Sequence, residues 1–221
     1  MSEMPYGDGY PDPDKIRPLI VCALEVETQG QLKPLVYADG WDVLYTGVGK
    51  VNATLGLTQK FGKYGSHIPY NLVINYGTAG SRHWKYRKGD LVDCTRFVQR
   101  DMDVSGLGFK LGQTPFEEAI PIILQGESEF NPIGKKALCG SGDSFVYDKT
   151  DSVLGLEQIG DVIDMEAYAL AKVCHIYNIP FISFKYITDD ADENAGDDWE
   201  KNVGEGITKF KKKVLDKLNK N

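Results

Sequence analysis

Residues 164–192 read DMEAYALAKVCHIYNIPFISFKYITDDAD, and this stretch decides the fold. Ala167, Leu170, Ala171, Cys174 and Tyr177 recur at helical spacing, so they share one face of a helix from Met165 to about Tyr177. Asp164 stands where a short polar side chain accepts the free amides of a first helical turn. Pro180 stops the helix. Phe181 to Ile187 is then an apolar run suited to a strand buried on both faces. Val162-Ile163-Asp164, just upstream, ends another strand.

The same alternation runs outward. Leu19 to Leu24, after Pro18, predicts a buried strand, and Val43 to Thr46 a second. Lys50 to Phe61 has helical spacing, with Val51, Leu55 and Thr58 on one face. Leu72 to Tyr76 predicts a strand that runs into Gly77-Thr78-Ala79-Gly80, and Asp90 to Met102 a longer, more mixed one. Lys136 to Cys139 is a short strand before Gly140-Ser141-Gly142-Asp143. Residues 197–219 predict a terminal helix with Val203, Ile207, Phe210, Val214 and Leu218 inward. Its acidic residues come first and its lysines last, as the helix dipole favours. Alternating strands and helices with doubly apolar strands mean a three-layer α/β fold. Residues 112–135, with little periodicity, read as a connection. Residues 1–16, rich in Pro, Gly and Asp, read as a flexible tail, which leaves 17–221 as a single domain.

Composition excludes several classes. The 221 residues are 42% hydrophobic and 26% charged, enough for a core and a soluble surface. A net charge of −7 argues against a nucleic-acid partner, because neutralising phosphates takes a surplus of clustered Lys and Arg. No apolar stretch approaches the ~20 residues of a membrane span. Cys22, Cys94, Cys139 and Cys174 form no C-x-x-C pair and read as small buried hydrophobes of a reducing, cytoplasmic compartment. No metal or organic cofactor is implied.

Ligands of open α/β sheets sit at the carboxyl ends of strands, and here those ends are rich in carboxylates. They carry Glu25-Val26-Glu27, Gly77-Thr78-Ala79-Gly80, Gly140-Ser141-Gly142-Asp143 and Thr188 to Asp192, with Glu166 early in its helix. Each has an ordinary structural reading. Gly77 and Gly80 suit a turn, Asp143 and Asp189 to Asp192 suit caps, and Glu166 suits a helix N-terminus. Pattern alone stops at an α/β enzyme with an acidic cleft.

Taken together, ALEVE (23–27), TGVGKVNA (46–53), INYGTAGS (74–81), GDLVD (89–93), DVSGLGF (103–109), SGDSFV (141–146) and residues 164–192 resemble the methylthioadenosine/S-adenosylhomocysteine nucleosidases of the purine nucleoside phosphorylase/nucleosidase superfamily. The motifs keep the family order from about residue 19 to 215. The resemblance implies an α/β three-layer sandwich, a central mixed, mostly parallel twisted sheet flanked by helices. It implies hydrolysis of the N-glycosidic bond of purine nucleosides with an apolar 5′ substituent. Asp189 would then protonate the purine and Glu27 would activate water. Glu166 would hold the ribose hydroxyls, with Met165 against the sugar. Phe145 would stack on the base and the backbone of Val146 would read its edge. Thr78 and Thr188 would orient Asp189. Leu24, Val48, Val104, Leu107, Phe109 and Trp199 would wall the 5′ pocket. Leu107 and Pro115 match positions that reach into a neighbour's site, so a homodimer is implied.

The runner-up is a phosphate-dependent nucleoside phosphorylase. Such an enzyme surrounds phosphate with arginines, one of them at the position held here by Asn75. Glu27 would also repel phosphate. Arg82, Arg87 and Arg100 have no place assigned by sequence. A third reading is a non-catalytic nucleoside-binding or storage relative, against which Glu27, Glu166 and Asp189 stand together. The sequence departs from the family in Lys185, where an Arg is usual beside the water, in Gln99-Arg100, usually Tyr-His, and in a shortened 112–135 region.

Overall fold

In the computed structural model the described residues are 16–37, 40–82, 85–117, 122–123, 130–147 and 160–219. The tail read at 1–16 lies outside them except for Ile16, which packs partly buried against a core cluster.

The strands are β1 (Pro18–Cys22), β2 (Asp42–Tyr45), β3 (Leu72–Ser81), β4 (Leu91–Gln99), β5 (Ile122–Ile123), β6 (Ala137–Ser141), β7 (Val162–Asp164) and β8 (Phe181–Asp189). They form one mixed sheet. β1 lies parallel between β2 and β3, and β3 runs parallel to β8. β4 pairs parallel with β6 and antiparallel with β5 and β8. β6 runs parallel to β7, which meets the end of β3 antiparallel. The pairings β3–β8–β4–β6–β7–β3 therefore close on themselves, so these five strands ring a common interior.

Alternation of side chains sends each strand into two cores. Leu19 and Val21 of β1 and Val73 of β3 join one cluster with Leu57 and Phe61 of α2 (Lys50–Gly62) and with α3 (Ala167–Ile176). Ile20, Cys22 and Ile74 point the other way, to Leu32 and Val36 of α1 (Leu32–Tyr37), and to Phe210 and Val214 near the C-terminus. All four cysteines are free and buried, as read. No helix among the described residues is long and apolar enough to cross a membrane.

Four details differ from the sequence expectation. β1 stops at Cys22, and Glu25–Thr28 form a 3-10 turn, because the Glu27 carboxylate captures the Leu24 amide at 3.0 Å and turns the chain off the sheet. Helix α2 buries Ala53, Leu57 and Phe61, while Val51 and Leu55 are exposed. Gly77 and Gly80 lie within β3 rather than in a turn. The terminal helix is broken into α4 (Ala195–Asn202), α5 (Ile207–Phe210), a π-helical segment Lys211–Leu215 and α6 (Asp216–Leu218). The break falls at Gly206, where a Cβ would come within 2.5 Å of Tyr76 and Tyr186. The five residues expected inward are all buried.

Candidate active site

The carboxyl ends of β3, β7 and β8 open into a cavity of about 260 Å³. Its lining includes Glu27, Asp164, Glu166 and Asp189, and among the described residues no Arg or Lys lines it. Four carboxylates in one partly buried space must share protons or be tightly held.

Asp189, the last residue of β8, is buried. Thr188 Oγ1 donates to its Oδ2 at 2.7 Å, and the Ala191 amide to its Oδ1 at 3.0 Å. Burial pushes the carboxyl above its ordinary value, the two donors oppose that, and Asp190 and Asp198 add to the rise. Space for Asp189 comes from Gly80, where a Cβ would lie 2.6 Å from Oδ1.

Glu27 faces the cavity from the 3-10 turn and is also buried. Its Oε2 accepts the Leu24 amide, and its Oε1 accepts the Thr78 amide at 2.8 Å and the Thr78 hydroxyl at 3.0 Å. Gly77 leaves the room here, since a Cβ would meet Glu27 Oε1 at 3.2 Å and Lys185 Nζ at 3.3 Å.

Glu166 sits at the start of α3, where its Oε1 accepts the amide of Gly49 at 2.8 Å. Burial and then the charge of Asp164 raise its carboxyl from 4.5 to about 7. Asp164 is the hub beneath it. One oxygen accepts from Lys185 Nζ at 2.7 Å and from the Ala167 amide at 2.9 Å, and the other from Ser141 Oγ. Ser141 Oγ in turn accepts the Tyr168 amide at 2.8 Å. Burial disfavours both charges, yet Lys185 keeps Asp164 below the usual carboxylate range and Asp164 keeps Lys185 raised. β7 and β8 are not paired neighbours, so this ion pair spans the interior of the ring.

The cavity brings together most of the residues expected from sequence: Glu27, Glu166, Met165, Phe145, Val146, Thr78, Thr188, Asp189, Leu24, Val48 and Trp199. Val104, Leu107 and Phe109 are not in its lining. They lie around the 3-10 turn Ser105–Leu107, with Leu107 75% exposed and Phe109 in edge contact with Phe116. Thr78 is a correction. The resemblance puts it on Asp189, but its hydroxyl meets Glu27 at 3.0 Å instead.

The residues that sequence reasoning underrated are Asp164, assigned only a cap, and Ser141. The pattern of a carboxylate directly before Met165-Glu166 was visible, but its cation is 21 residues away on a strand that does not pair with β7. The three unplaced arginines lie outside the lining. Arg82 donates to the Gly160 carbonyl at 3.1 Å, the Arg87 amide meets Asp90, and buried Arg100 holds the Ser144 carbonyl and, at 3.1 Å, its hydroxyl. Arg100 thus braces the loop that carries Phe145. Asn75 spans β1 to β8, from the Val21 carbonyl at 3.0 Å to the Ser183 hydroxyl at 2.7 Å. Among the described residues, no group of three or more His, Cys, Asp or Glu is arranged to hold a metal ion.

Residues 42–219 match the phosphorylase superfamily. The chain is 30% identical over 190 residues to the 5′-methylthioadenosine/S-adenosylhomocysteine nucleosidase of Bacillus cereus (strain B4264), covering 80% of each chain. It is similar to the solved structure of the Helicobacter pylori enzyme of the same name, with a TM-score of 0.77, 25% identity, and coverage of 92% of this chain and 99% of that one. Its fold is also like that of the futalosine hydrolase of Helicobacter pylori, with a TM-score of 0.77, 24% identity, and coverage of 91% and 98%.

Proposed function

The chain belongs to the phosphorylase superfamily and, within it, to the 5′-methylthioadenosine/S-adenosylhomocysteine nucleosidases, and from that footing we propose that it hydrolyses the N-glycosidic bond of adenine nucleosides with an apolar 5′ substituent. The observation that carries the proposal is the pairing of a buried, raised Asp189 with a Glu27 that accepts three hydrogen bonds across one cavity.

Breaking the bond builds positive charge on the sugar and negative charge on the leaving base, so it needs an acid at the base and carboxylates at the sugar. Asp189, whose carboxyl burial raises, acts as the acid on the purine. Glu27 takes the proton of the attacking water. Glu166 holds the ribose hydroxyls, Met165 packs against the sugar, Phe145 stacks on the base and the Val146 backbone reads its edge. Thr188 orients Asp189, a role its 2.7 Å bond supports. Leu24, Val48 and Trp199 wall the 5′ end, where an alkylthio group avoids the cost of an unpaired buried hydroxyl.

The lining supports water over phosphate as nucleophile. A dianion beside Glu27 and Glu166 would meet their carboxylates, and among the described residues no Arg or Lys lines the cavity to pair with it. We assign Leu107, with Pro115, to a partner's cavity across a homodimer, a role the exposure of Leu107, Val51 and Leu55 supports. The same reading makes 17–221 one domain, three-layered with a mostly parallel sheet, and places the protein in the cytoplasm, where its free cysteines stay reduced. The test is adenine release from methylthioadenosine, S-adenosylhomocysteine and adenosine, and hypoxanthine release from inosine, in phosphate-free buffer. The thioethers should react fastest. Release from none of them would overturn the proposal.

A further inference from the structure

Trp199 has more to do than wall the cavity. Its indole Nε1 lies 3.1 Å from Thr78 Oγ1, and that oxygen lies 3.0 Å from Glu27 Oε1. An indole nitrogen only donates, and a hydroxyl has a single proton. With one lone pair taken by the indole N–H, the Thr78 hydroxyl is set to donate, and Glu27 is the acceptor in reach.

We infer that Trp199 is a positioning residue for Glu27, acting through Thr78: its N–H sets the direction of the Thr78 hydroxyl, which holds the carboxylate ready to take a proton from water. This rests on Glu27 being the base, as proposed above. The placement of the indole is itself fixed. Helix α4, which carries it, is tied back to β8 by Asn202 Nδ2 donating to the Thr188 carbonyl at 3.1 Å. Asp198, the neighbour of Trp199, pairs with Lys88 at 2.7 Å. One helix thus registers both halves of the site, the Thr188-Asp189 end of β8 and the Thr78–Glu27 pair.

The test is a double-mutant cycle read by adenine release from methylthioadenosine. Trp199→Phe keeps an aromatic ring in the wall and removes the N–H. It should lower kcat about three- to tenfold, the worth of one hydrogen bond, and leave KM within about twofold. In a Thr78→Val background the same change should cost nothing further, whereas in Thr78→Ser, which keeps the hydroxyl, it should cost as much as in the wild type. A raised KM with unchanged kcat, or an equal loss in the Thr78→Val background, would reduce Trp199 to a wall and overturn the inference alone. A wild-type protein that releases no adenine would overturn the nucleosidase reading, and this inference with it.

Discussion

Replacing Glu166 with glutamine should make the folded chain more stable at alkaline pH while slowing the reaction it serves. The Glu166 carboxyl is raised by burial first and by Asp164 next, with a smaller push from Glu27, while Lys185 and the Gly49 amide oppose. A carboxyl raised by folding keeps a proton that the unfolded chain has released. The stabilisation is therefore full below the unfolded value and lost as pH climbs to the folded one. Between 4.5 and about 7, at about 1.4 kcal/mol per pH unit, the loss reaches about 3 kcal/mol. Glutamine keeps an oxygen for the Gly49 amide and has no charge to bury, so the variant escapes that loss. Urea unfolding of both proteins would read it. The variant-minus-wild-type difference in unfolding free energy should rise from near zero at about pH 4 to about 3 kcal/mol at about pH 8. The two proteins otherwise carry the same titrating groups. A flat difference, or a wild type that gains on the variant as pH rises, would refute the burial argument. Adenine release should fall in the same variant, because the ribose hydroxyls lose a charged acceptor.

Asp189→Asn should slow adenine release by about 10²- to 10⁴-fold, the range for losing a general acid, with little effect on KM. Steady-state kinetics would decide it, and full activity would remove Asp189 from the mechanism. Lys185→Met leaves Asp164 buried without its cation and should destabilise by about 3–5 kcal/mol at neutral pH, most of which a Lys185→Met/Asp164→Asn double variant should recover in denaturant titration. Tyr76→Phe removes a buried hydroxyl with no hydrogen-bond partner among the described residues and keeps the ring stacked on Phe210, so it should raise Tm or leave it unchanged, a gain of about 1 kcal/mol at most. A clear loss of Tm would mean that the hydroxyl is bonded.

What the sequence made legible was whatever local pattern dictates. The unit from Asp164 to Asp189 folds as its periodicity and Pro180 require, and Asp164 does take the Ala167 amide at the start of α3. Helix α2 shows the limit. Val51, Leu55 and Thr58 and, equally, Ala53, Leu57 and Phe61 fall on single faces, and only packing against the sheet and α3 chooses the second. The glycines of β3 show another. Gly77 and Gly80 are there for the carboxylates of Glu27 and Asp189, which approach from distant segments, and a local reading can see only turn residues. Thr78 meets Glu27 rather than Asp189 because Glu27 arrives from the 3-10 turn after β1, a segment 51 residues away that leaves no mark in the motif itself. The Asp164–Lys185 pair was hidden for the same reason, since the ring of strands, not the chain order, brings those charges together.

The central claim is that water, activated by Glu27, attacks the sugar. Its most direct test is the identity of the sugar product from methylthioadenosine with phosphate in excess, followed by phosphorus NMR alongside adenine release. Free methylthioribose should form, at a rate that phosphate does not change. A methylthioribose 1-phosphate formed in step with adenine would contradict it and make the protein a phosphorylase.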